Sequence, residues 1–101
     1  MEKRRLELQT MFESILGTRN VYYQPPESVK LKYPAIIYSL KQVNIDRADN
    51  RAYKIDPCFE GVLIDKDPDS KYLRMILDNE YCSFDRAYKS DNLNHFAFTI
   101  Y

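Results

Sequence analysis

Leu8, Met11, Phe12, Ile15 and Leu16 recur at helical spacing, with Glu7, Gln9, Thr10, Glu13 and Ser14 between them. That pattern predicts an amphipathic helix, since residues three and four apart share one face. Gly17 is expected to end it, because a residue without Cβ enters the left-handed conformation that closes many helices. Val21, Tyr22 and Tyr23 predict a short strand, stopped by Pro25-Pro26, whose rings remove two backbone donors. A surface loop should follow to about Tyr33.

From Ala35 to Val43 the chain reads as a central strand, with Ile36, Tyr38 and Leu40 on one face and Ile37 on the other. Asn44 to Asn50 is polar and turn-prone, and it leads into a second extended segment from about Arg51 to Asp65, so the two are expected to pair as a hairpin. In the second segment Tyr53, Ile55, Phe59 and Leu63 alternate with Lys54, Asp56 and Glu60, while Val62 and Ile64 make the far end apolar on both faces. The hairpin should therefore be exposed at its tip and buried at its base. Pro57 and Gly61 interrupt the pattern and suggest an edge, a bulge or a bend. The inference is a long extended β-hairpin arm over about residues 43–60.

Asp67, Pro68 and Asp69 predict the start of a second helix, as an N-cap, a first-turn proline and an acid at the positive helix end. Leu73, Ile76 and Leu77 would supply its buried face. Strands around Tyr81 to Lys89 and Leu93 to Tyr101 should close the fold, with Phe96, Phe98 and Ile100 alternating with His95, Ala97 and Thr99. The expected fold class is α+β: an antiparallel or mixed β-sheet flanked by two helices, in the order α-β-β-β-α-β-β. No Gly-rich turn or βαβ repeat points to a nucleotide-binding fold.

Composition changes this picture little. The 101 residues suit a single domain over 1–101, and 45% hydrophobic with 30% charged residues is ordinary for a globular protein. Fifteen basic and fifteen acidic residues cancel, so no net field favours nucleic acid or a membrane surface. No long apolar run follows the basic residues Lys3, Arg4 and Arg5, so neither a signal peptide nor a transmembrane helix is expected. Nine tyrosines and no tryptophan hint at subunit contacts, because a tyrosine ring can be buried while its hydroxyl reaches water.

Candidate chemistry is sparse. Cys58 and Cys82 lack metal-ligand spacing and read as reduced, half-buried thiols. Asp65, Asp67 and Asp69 echo the start of a calcium loop, but Ser70 and Ile76 stand where that loop needs Gly and Glu, and helix capping explains the carboxylates. His95 has no nucleophile motif beside it, although a meeting with Cys82 across two strands is conceivable. The basic clusters, with Tyr88, Phe96 and Phe98, allow a nucleic-acid-binding sheet only if those rings are exposed. No catalytic residue, cofactor or metal is expected. Asp46, Arg47, Asp49, Asn50, Arg51 and Tyr53, at the expected arm tip, are the candidate subunit interface.

Several segments taken in order carry a resemblance: Tyr23-Gln24-Pro25-Pro26-Glu27-Ser28 running into Lys32-Tyr33-Pro34, Ala48-Asp49-Asn50, Ile64-Asp65-Lys66-Asp67-Pro68-Asp69-Ser70, Phe84-Asp85-Arg86, and Asp91-Asn92-Leu93-Asn94-His95. Together, over nearly the whole chain, they resemble the tail terminator, or tail completion, proteins of prophages and tailed phages of Gram-positive bacteria. The resemblance implies a non-enzymatic virion protein of the tail or neck, assembled in the host cytoplasm. It further implies a homo-oligomeric ring, a hexamer in that family, that caps the tail tube protein and docks the head-tail connector protein. Genomic DNA would pass through the lumen without specific binding, and no membrane would be involved. A head-closure subunit of the neck and a small nucleic-acid-binding regulator are the alternatives.

Overall fold

The computed structural model describes residues 2–48 and 51–101, without the side chains of 46, 48 and 51–55. Its elements are α1 (Glu2–Leu16), β1 (Val21–Tyr23), β2 (Ala35–Ala48), β3 (Arg51–Asp65), α2 (Lys71–Leu77), β4 (Cys82–Ser90) and β5 (Leu93–Ile100). The fold is α+β, in the order read from the sequence. The five strands form one open mixed sheet in the order β1-β2-β3-β5-β4, with β1 parallel to β2 and every other pair antiparallel.

Alternation along each strand sends one set of side chains toward the helices. Ile36 and Tyr38 from β2, Phe59 and Leu63 from β3, and Phe96, Phe98 and Ile100 from β5 meet Leu8, Phe12 and Leu16 of α1 and Ile76 of α2 in one core. Phe12 is its hub, packing edge-on against Tyr38 at 5.3 Å and Phe98 at 5.8 Å between ring centres. Such edge-to-face pairs add to what area burial alone contributes. Tyr38 is fully buried as a ring, and its hydroxyl donates to Gln9 Oε1 at 2.6 Å; Gln9 Nε2 in turn donates to the Val21 carbonyl at 3.1 Å. One glutamine thus ties α1 to β1 and β2, fixing the helix on the sheet.

Three local features depart from the sequence reading or sharpen it. Gly17 closes α1 with φ of +70° and its amide donates to the Glu13 carbonyl at 2.9 Å. The second helix begins at Lys71, not at Pro68. The cause is local: Asp65 Oδ1 accepts the Asp67 amide at 3.2 Å, Asp67 Oδ1 accepts the Asp69 amide at 2.9 Å, and the Ser70 hydroxyl donates to Asp65 Oδ2 at 2.7 Å. These side chains hold the backbone in successive Asx turns, which compete with helix, and they occupy the Ser70 hydroxyl that would otherwise cap α2. Asn44 to Ala48, read as turn, continues β2.

Candidate interaction surface

The long hairpin is built by pairing of β2 with β3 from Ala35 opposite Ile64 to Ala48 opposite Arg51. Its neighbours stop early. β1 covers the outer edge of β2 only at Ile36–Tyr38, and β5 covers β3 only from Phe59 to Asp65. Residues 41–48 and 51–58 therefore continue as a two-stranded ribbon beyond the sheet. At about 3.3 Å per residue its eight residues per strand reach roughly 26 Å, which accounts for the 51 Å long axis of a molecule 29 Å and 23 Å across. The arm expected over about 43–60 is thus slightly displaced, because Phe59 and Glu60 belong to the five-stranded body through their pairing with Ile100 and Thr99. A register shift between Leu40 and Gln42 marks the root, where Pro57 stands opposite Val43.

Of the candidate interface residues, Arg47 is exposed on β2, and Asp46, Arg51 and Tyr53 are placed by their backbone on the two arm strands. Asp49 and Asn50 lie outside the described residues. Ile45, 44% exposed, is an apolar residue on the arm that the sequence reading did not single out for contact.

A second free surface is the far edge of the sheet. β4 pairs only with β5, and every residue from Ser83 to Ser90 is exposed, including Phe84 at 45% and Tyr88 at 40%. Asp85 bulges out between the rungs Phe84–Phe98 and Arg86–Ala97, and Thr99 Oγ1 donates to Asp85 Oδ2 at 2.8 Å. The sheet face away from the helices is the third. Ile37, Val62 and Ala97 are half-buried there, around a hollow of about 320 Å³ that also touches Ser39, Glu60 and Arg86. No helix covers it.

The residues with conceivable chemistry do not converge. His95 sits opposite Tyr88, ring on ring at 4.8 Å, with Nδ1 3.1 Å from the Leu93 carbonyl oxygen, while Cys82 pairs with Ile100 at the other end of the same ladder. The Cys82–His95 meeting therefore does not occur. Cys58 is buried rather than half-buried, Cys82 is half-buried, and both are free thiols. Burial pushes the Cys58 thiol up, opposed by Lys41 and aided by Asp85 and Glu60; burial, with Asp85, pushes Cys82 up to about 11. Both are thus held as inert thiols. Among the described residues no group of three His, Cys, Asp or Glu side chains could hold a metal ion, and no helix is long and apolar enough to cross a membrane. Phe96 and Phe98 are core residues under the helices, so of the three rings considered for an aromatic platform Tyr88 alone is exposed.

No protein-family model matches the sequence, and no curated protein matches it.

Proposed function

We propose that this chain is a structural, non-catalytic subunit of a tailed-phage virion: a tail terminator that assembles with copies of itself into a ring, caps the tail tube and joins it to the head connector. One observation carries the reading. Among the described residues, the β2–β3 hairpin leaves the sheet as a two-stranded arm with no third strand along either outer edge, an arrangement open to pairing with a strand of another chain. The sequence resemblance supplies the biological setting, and a ring needs two different patches per subunit, which an arm and a distant sheet edge provide.

Native mass spectrometry of the purified chain, together with electron microscopy of tails carrying a tagged copy, tests the proposal. A closed ring at the head-proximal end of the tail is the expected result. A chain that never enters particles overturns it, and a ring on the head side of the neck reassigns it to head closure.

One observation favours a second reading, a small nucleic-acid-binding regulator. Tyr88 stacks on His95 at an interplanar angle of 17°, and the Arg86 guanidinium lies 5.0 Å from the Tyr88 ring centre. Stacked aromatics beside arginine suit an unpaired base. Retention of labelled single-stranded DNA or RNA that weakens steeply with salt would favour it, and no retention at low salt excludes it.

A further inference from the structure

The arm and the β4 edge carry matching sequences. Residues 45–48 read Ile-Asp-Arg-Ala and residues 84–87 read Phe-Asp-Arg-Ala. When two strands that each contain Asp-Arg in that order run antiparallel, each acid lies opposite a base. We propose that the outer edge of the β2 arm, residues 45–48, pairs antiparallel with the free edge of β4, residues 84–87, in a second copy of this chain. The register sets Asp46 opposite Arg86, Arg47 opposite Asp85, Ile45 opposite Ala87 and Ala48 opposite Phe84. This contact rests on the reading of the chain as a self-assembling subunit and names the two patches that meet.

Three further facts favour that occupant. The strand directions fit: β2 and β5 run one way, β3 and β4 the other. A copy set beside another with its helices on the same side therefore brings β2 antiparallel to β4, as repeated rotation about one axis requires. Because the arm overhangs the sheet, the pairing staggers neighbouring copies along the strands, the same shear that tilts strands in a closed barrel. The irregularities coincide too. The register of the arm shifts between Asp46 and Arg47, where β3 carries the extra residue Tyr53, and β4 carries the extra residue Asp85 between Phe84 and Arg86, so the two irregularities fall beside the same rungs. Finally, a bulged edge bearing charge repels most strands, and only a partner of opposite charge in the right register is accepted.

Disulfide trapping tests the register directly. With Cys58 and Cys82 replaced by Ser, the pair Ile45→Cys and Ala87→Cys in one chain should give, on mild oxidation, a ladder of covalent oligomers on a non-reducing gel. Each single variant should give none, and mixing the two should stop at dimer. A ladder of equal yield from Ile45→Cys with Ser90→Cys, or no ladder from the matched pair at high protein concentration, overturns the contact. A dimer from Ile45→Cys alone also overturns it, because it shows arm meeting arm. As a second measurement, Arg86→Asp should cut the trapping yield at least tenfold, and Asp46→Arg in the same chain should restore most of it. A ladder from a chain that never enters virions leaves this contact standing and sinks the tail terminator reading alone.

Discussion

Gly61 stands in the middle of the sheet, directly under an aromatic ring. Its place in an apolar strand suggested a bend or bulge, but β3 is regular there and Gly61 pairs with both Tyr38 and Phe98. The ring of Phe98 lies over it, so a Cβ added at Gly61 would sit 2.5 Å from Phe98 Cζ. Gly61→Ala is expected to destabilise the fold by about 1–3 kcal/mol, measured as a lower urea midpoint, and Phe98→Leu in the same chain should recover part of the loss. Nothing in the local sequence pairs position 61 with position 98, which is why the cause was illegible before the sheet register was known. Tyr38 and Cys82 give a second prediction at this scale. Burial raises Tyr38 from its usual 10.0 to about 12 and Cys82 from 9.0 to about 11. The folded chain therefore holds these protons more tightly than the unfolded chain does, and stability falls as pH rises. The loss should begin near pH 9, where unfolded Cys82 first ionises, and run to about pH 12; urea midpoints across that range check it. Tyr38→Phe should flatten the part above pH 10, at the cost of the Gln9 hydrogen bond at neutral pH.

At the scale of elements, the order α-β-β-β-α-β-β and the alternation of Phe96, Phe98 and Ile100 were legible because period and burial agree where the helices cover the sheet. What failed was the start of α2 and the length of β2. Asp and Ser compete with helix through local hydrogen bonds that propensity does not distinguish from caps, and Asn44 to Ala48 are held in strand by pairing with β3, not by their own preferences. The chemistry of the β4–β5 turn is specific: Asp91 and Asn92 have φ of +53° and +61°. Two consecutive left-handed residues match the twist of a tight hairpin, and Asp and Asn tolerate that region. Asn92→Val should cost about 1–3 kcal/mol by chemical denaturation, whereas Asn92→Gly should leave stability unchanged or slightly raised.

For the whole molecule, the core and the contact surfaces are carried by different parts of the chain. Among the described residues, none between 41 and 58 belongs to the helix-side core cluster. Replacing residues 45–55 with a two-residue Asn-Gly turn, which keeps Asn44 opposite Asp56, is therefore expected to leave the body folded, with its circular dichroism and cooperative melt kept, while abolishing self-assembly in native mass spectrometry. The arm itself was foreseen from polar residues at the tip and apolar ones at the base. The β4 edge was not, because Cys82 to Ser90 shows the alternation of any strand, and only the sheet order reveals that no strand of the described residues lies beyond it.

That edge also offers a clock. In an antiparallel pair the residues of a border strand alternate between exchanging hydrogen bonds with the neighbour and turning their backbone groups outward. In the isolated chain, every second amide of β4 therefore faces water, and deuterium should enter those amides far faster than the ones between them. A strand laid along the border would slow exchange at the outward amides on either side of the Asp85 bulge, so the arrival of a partner is written in the backbone of β4 even where no side chain moves.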